Sequence, residues 1–199
     1  MITFAESFLA ETAELVGRLD RDAIERTAAG LAAVRDRGGR LFVLGVGGSA
    51  AHASHAVNDF RKLCGIETYA PTDNVAELTA RVNDDGWDTS LSEWLKESRL
   101  GPADALLVFS VGGGNRERGV SVNLVRALEL GREVGATIFG VVGRDGGFTA
   151  KVADACVVIP IASEDRVTPH TEGLCAVVWH LLVSHPALAA HSGKWESLR

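Results

Sequence analysis

Gly45-Val46-Gly47-Gly48-Ser49 follows the apolar run Leu41-Phe42-Val43-Leu44 and precedes Ala50, Ala51 and Ala53. Such a run reads as a buried strand, and the alanines open a helix. A strand, a glycine-rich turn and a helix start together make a site for an anion. Glycine lets a ligand approach the backbone, the first N–H groups of a helix lack partners, and the helix dipole favours negative charge. The Ser49 hydroxyl adds a donor at the same spot. No lysine follows the glycines and the spacing is not G-x-G-x-x-G, so the turn is neither a P-loop nor a dinucleotide fingerprint. Further along the same helix stand His55 and Asp59, four residues apart and therefore on one face. A histidine and a carboxylate so placed can transfer protons or ligate a metal. The same spacing also occurs in solvated ion pairs.

The strand–glycine–helix unit occurs twice. Ala103-Asp104-Ala105-Leu106-Leu107-Val108-Phe109-Ser110 is a second strand, and it runs into Val111-Gly112-Gly113-Gly114-Asn115. Arg116-Glu117-Arg118-Gly119-Val120-Ser121 comes next, then a helix over residues 122–134. In an open parallel sheet both loops lie at the C-terminal ends of the strands, where ligands bind. Two such loops are placed to hold one phosphorylated ligand between them.

The remaining elements must carry these loops. Residues 4–35 read as two helices broken at Asp20–Asp22 and stopped by Gly38-Gly39. Ile66–Pro71 is a short edge segment. Asp73 or Asn74 caps a helical stretch over 75–98, interrupted near Asn83–Gly86. Trp87, Leu91, Trp94 and Leu95 form an apolar stripe that belongs to a core or an interface. Ala136–Val142 and Ala155–Pro160 are further strands, with a short helix over 148–152 between them. Thr168 reads as the N-cap of the last helix, with Pro169 in its first turn, and the helix runs to about Ser184. That helix is apolar on most sides, so the plain reading of His180 is a hydrogen-bonded core histidine. The tail from His191 to Arg199 is polar and reads as loosely held.

Composition narrows the function classes. With 46% hydrophobic and 23% charged residues, the chain is an ordinary globular α/β sequence rather than a disordered one. Its net charge of −6 and lack of a basic cluster argue against nucleic acid as partner. Three cysteines, Cys64, Cys156 and Cys175, with no CxxC pair, read as reduced thiols of a cytoplasmic protein. Met1-Ile2-Thr3-Phe4-Ala5-Glu6 lacks the basic-then-apolar pattern of a signal peptide, and no apolar run nears the ~20 residues that span a bilayer. The expectation is one domain over residues 1–199.

These motifs, in this order, resemble the sugar isomerase (SIS) domain, and within it the phosphoheptose isomerases. The resemblance runs over nearly the whole chain. It implies a five-stranded parallel sheet flanked by helices, with leading N-terminal helices, assembled as a homotetramer with active sites at subunit interfaces. It implies an aldose–ketose isomerase that converts sedoheptulose 7-phosphate to D-glycero-D-manno-heptose 7-phosphate for a heptose-containing glycan such as lipopolysaccharide or capsule.

Residue by residue, the resemblance assigns substrate contacts to Val46, Gly47, Gly48 and Ser49, to Asn83 and Asp84, to Ser110, Gly112, Gly113 and Ser121, and to Glu172. Catalysis falls on Asp59 and His180. Several members of the family bind zinc, and the matching set here is His55, Asp59, Glu172 and His180; no nucleotide cofactor is implied. Four departures stand out. Val46 takes the place of an asparagine, Asp59 that of a glutamate, and Glu172 that of a glutamine. Val111 and Gly112 replace two hydroxyl residues of the second loop, where Arg116–Val120 look inserted, so phosphate binding there leans on backbone N–H groups, Ser121, and Arg116 or Arg118. The other reading is a non-catalytic SIS module that binds a phosphosugar or a protein such as a replication initiator.

Overall fold

The computed structural model of the chain describes residues 1–198. Strands β1 (Leu41–Leu44), β2 (Thr68–Tyr69), β3 (Ala105–Ser110), β4 (Thr137–Val142) and β5 (Ala155–Val158) form one parallel sheet in the order β2-β1-β3-β4-β5. Leu41 to Leu44 lie opposite Ala105 to Val108, and Ser110 lies opposite Val142. The chain leaves β1 towards β2, then returns to add β3 on the other side of β1. The crevice of an open α/β sheet lies where the order reverses in this way. Here that places it between β1 and β3, the two strands that end in the glycine loops.

The strands are buried on both faces, as parallel sheets require. Their alternation sorts the core into two layers. Leu41, Val43, Leu107 and Phe109 face α2 (Arg21–Asp36), α3 (Gly48–Cys64) and α8 (Val167–Ser184). Phe42, Leu44, Leu106 and Val108 face α5 (Ser90–Glu97) and α6 (Val122–Val134). The stripe read from the sequence divides accordingly. Leu91 and Leu95 are buried, Trp94 meets Phe42 edge-on at 5.7 Å, and Trp87 is exposed.

Helix starts follow their caps. Thr3 and Glu6 form a capping box for α1 (Phe4–Gly17), Asp20 caps α2, and Asn74 caps α4 (Val75–Asp84). The expectation for α8 needs correction. The helix begins two residues earlier than expected, at Val167, after the one-turn segment Glu164–Arg166; its N-cap position is Arg166, with no side-chain cap. Pro169 still lies in the first turn, where its missing N–H has no consequence. A short helix α7 (Gly147–Val152) links β4 and β5. In the polar tail, Lys194–Ser197 forms the short helix α9; Arg199 lies outside the described residues. Among the described residues no helix is long and apolar enough to cross a membrane.

Helix α1 is held to the start of α8 by one ionic cluster. Glu11 takes a two-pronged bond from Arg166, at 2.6 and 2.8 Å, and lies 2.9 Å from His170 Nε2. Phe8 stacks on the His170 ring at 4.4 Å. The Arg166 bonds, then His170, hold the Glu11 carboxyl down to about 2 from its ordinary 4.5. A carboxyl lowered on folding stabilises fully above its unfolded value, and that contribution fades as pH falls towards the folded one. Between pH 4.5 and 2, amide exchange in α1, referenced to α2, should therefore report progressive release of α1. Glu11→Gln should show the loosened α1 already at neutral pH; equal protection of α1 in both proteins at every pH would contradict this role.

Candidate active site

Gly47 sits at the N-cap of α3 with φ +62°, a left-handed conformation in which a side chain is strained. No side chain caps α3, so its first N–H groups stay open. A Cβ on Gly45 would overlap the backbone carbonyl of Ser49, which is why the strand can turn into the helix so sharply only at glycine. Gly48 is covered by Glu172, whose Oε1 would stand 2.6 Å from a Cβ there.

A cavity of about 700 Å³ opens at the C-terminal ends of the strands, and Val46, Ser49, Ser110, Gly112, Ser121 and Glu172 all line it. Ser49 is buried, and the Ser110 hydroxyl accepts the Gly113 N–H at 3.0 Å. Gly113 itself serves the framework. Its carbonyl accepts the N–H and the hydroxyl of Thr149, at 2.9 and 2.8 Å, and pins the second loop to α7. Asn83 and Asp84 are not brought to the cavity. They end α4 on the surface, bonded to each other at 2.8 Å.

A second group lies further along α3 and α8. Asp59 Oδ2 is 3.4 Å from His55 Nε2 and 3.7 Å from His180 Nε2. The two helices run parallel, in step. Gly48 meets Glu172, Asp59 meets Trp179, and the Cys64 thiol meets the Val183 carbonyl. Glu172 does not join the second group. Its side chain instead covers Gly48 and lines the cavity, ~12 Å of helix axis from His180. The four-residue ligand set expected from the resemblance is therefore three in this structure, with Glu172 left at the cavity.

The surroundings of Asp59 explain its geometry. The side chain is mostly buried, and its two oxygens accept bonds from Trp179 Nε1 at 3.2 Å and Asn58 Nδ2 at 3.1 Å. These donors fix the direction of a carboxylate one methylene shorter than glutamate. His180 is half-exposed rather than core, which corrects the plain reading of its apolar helix. Its Nδ1 lies 2.7 Å from the Ala176 carbonyl. A carbonyl only accepts, so Nδ1 carries a proton in this contact, and Nε2 faces Asp59. His52 lies between the two groups on α3; burial lowers its pKa, and its Nδ1 has no partner among the described residues.

The three side chains fit a divalent metal. One ligand atom from each lies within 4.8 Å of the others, two are imidazoles with one carboxylate, and the His180 tautomer is set by an outer carbonyl.

Three contributors escaped the sequence. Trp179 reads as one more apolar residue of its helix, and Asn58 as a polar neighbour of Asp59. Arg144 follows the third glycine-bearing loop, after β4. Its signal was the position of Gly143-Arg144-Asp145 at the same edge of the sheet as the other two loops.

Comparison with known proteins agrees with this architecture. Residues 6–143 match the family model of the SIS domain. The lincomycin biosynthesis protein LmbN of Streptomyces lincolnensis is 34% identical over 197 residues, 96% of this chain and 70% of that protein. A phosphoheptose isomerase of Rhodospirillum rubrum is 32% identical over 165 residues, 80% of this chain and 82% of its own. Among solved structures, the phosphoheptose isomerases of Neisseria gonorrhoeae and Francisella tularensis superimpose with TM-scores of 0.75 and 0.76. They cover 92% and 91% of this chain, and it covers 98% and 92% of theirs, at 22% and 21% identity. On the family match and these relatives, the chain belongs to the SIS domain family.

Proposed function

We propose that this chain is an aldose–ketose isomerase acting on sedoheptulose 7-phosphate. The observation that carries the reading is Asp59, set between two imidazoles and one helix-length from an anion cavity. The two lie on one helix: Asp59 is ten residues, ~15 Å of axis, from Ser49, and its Oδ2 reaches to 3.4 Å from His55 Nε2. The phosphate takes the cavity between Ser49 and Ser121, and the reacting carbons lie at Asp59. The relatives named phosphoheptose isomerase support the same substrate class.

Moving a carbonyl between C1 and C2 requires removing a proton from the carbon beside it. Asp59 takes that proton and returns it to the neighbouring carbon of the enediolate. Trp179 and Asn58 keep its oxygens aimed while the charge comes and goes. His180, when protonated, keeps its Nδ1–H on Ala176 and offers Nε2–H to the oxygen that gains charge. His55, Asp59 and His180 would hold zinc, which supplies Lewis-acid polarisation of a carbonyl when bound. A lone pair of Asp59 given to a metal is not available as base, so the two uses of this carboxylate compete.

In one copy of the chain the reacting end is open. The His55 and His180 side chains are 56% and 52% exposed. Phe4, Leu9 and Val16 on α1, and Val177 and Leu181 on α8, are exposed apolar residues. Further copies cover these faces in a homotetramer and exclude water from the site. Equilibrium sedimentation at micromolar concentration should give four chains; a monomer would contradict shared sites.

Incubation with sedoheptulose 7-phosphate, followed by NMR of the anomeric region, tests the activity. An aldose 7-phosphate is the expected product. Tight binding of the sugar without product would instead favour a phosphosugar-binding module.

A further inference from the structure

We propose that Arg118 and Arg144 form the phosphate clamp of the cavity, closing on the phosphate dianion from the α6 side. The assignment deepens the isomerase reading and rests on it for the identity of the sugar. The clamp itself is a matter of anion binding.

The second loop is short of hydroxyls for a dianion. After Ser110 the second loop offers Val111, Gly112, Gly113 and Gly114. Compensation must come from cations, and a guanidinium matches phosphate with two parallel N–H donors. Of the arginines in the inserted segment, Arg116 is turned outward to Glu129 at 2.6 Å, and Arg118 lines the cavity. A small hairpin holds Arg118 there. Asn115 and Val120 exchange backbone bonds at 2.8 and 2.9 Å, and Asn115 Oδ1 accepts the Arg118 N–H at 2.9 Å.

Arg144 reaches the same space from the end of β4. Its Cδ would lie 3.9 Å from a Cβ on Gly112, so the side chain crosses the second loop. Its backbone is left-handed, φ +52°, and so is that of Ser121, φ +50°, at the uncapped start of α6. Residues with a Cβ adopt this conformation at a cost that the surrounding fold must sustain, and such residues gather at ligand sites. Both face one cavity. Among the described residues neither Arg118 nor Arg144 has its guanidinium in an ion pair or hydrogen bond.

Three carboxylates share the cavity. Glu172 stands over Gly48 and occupies the positive end of α3. Asp145 already accepts the Gly147 N–H at 3.1 Å, and Glu164 lies in the loop after β5. Against these negative charges, the two arginines are the cations that draw a dianion into the cavity.

Calorimetric titration with inorganic phosphate, together with KM and kcat for sedoheptulose 7-phosphate, tests the clamp. Arg118→Gln and Arg144→Gly should each weaken phosphate binding and raise KM by ~10-fold or more, with kcat within a few-fold of wild type. Arg144→Gly also removes the left-handed strain, so its melting temperature should hold or rise while binding falls, a pair of changes that a structural role does not produce. Arg116→Ala should leave phosphate affinity unchanged. Wild-type phosphate affinity in both cavity variants would overturn the clamp, even if the enzyme turns over normally. Weakened phosphate binding in a protein that makes no aldose would uphold the clamp and remove the isomerase reading.

Discussion

Asp59→Asn should lower kcat by ~10²-fold or more while leaving the fold and assembly in place. The amide keeps the shape of the carboxylate but cannot take a proton at neutral pH. One amide oxygen can still accept from Trp179 Nε1 or from Asn58, though not from both at their present positions. A modest loss of stability is therefore expected beside a large loss of rate. His180→Gln should give a comparable fall, because glutamine can bond to an oxygen but does not deliver a proton to it. Rates within a few-fold of wild type in both variants would remove proton transfer from these residues.

Gly45→Ala should have a large structural effect for one added methyl. The new Cβ would meet the backbone of Ser49 and Ala50, which cannot yield without moving the first turn of α3. Forcing atoms into such a contact costs about 1–3 kcal/mol. For a chain of this size that lowers the melting temperature by about 2–12 °C. Ser49 and the open N–H groups move with the turn, and kcat/KM should fall by as much as ~10²-fold. Gly17→Ala is the control, since a Cβ there meets nothing within 4 Å. It should leave stability and rate unchanged or slightly improve stability. Equal melting temperatures for Gly45→Ala and wild type would show that the turn is not tight.

Much of this was legible because the signals are local. Val, Leu and Phe runs ending in glycine give parallel strands, and helix spacing alone puts His55 and Asp59 on one face. The helix over 122–134 and the break between α4 and α5 follow from the same kind of pattern. What stayed hidden depends on packing between distant segments. That Asp59 is bonded by Trp179 requires α3 and α8 to lie in step, 120 positions apart in sequence. His180 reads as core because its helix is apolar, yet the exposed stripe with Val177 and Leu181 shows that one side of that helix is open in a single chain. Glu172 was grouped with the metal ligands by likeness of position. Its side chain points to Gly48 and the cavity rather than along the helix to His180. Arg144 escaped because a left-handed arginine after a strand has no sequence signature beyond its place in the loop.

The most direct test of proton transfer at Asp59 is turnover of sedoheptulose 7-phosphate in D2O, with NMR of the aldose product. A carboxylate that takes the proton and returns it through an enediolate exchanges with solvent, so deuterium should appear at C2 of the aldose, and Asp59→Asn should slow product and label together by ~10²-fold or more. An aldose formed over many turnovers with only protium at C2 would mean that hydrogen passes directly between the carbons, and would contradict Asp59 as the base.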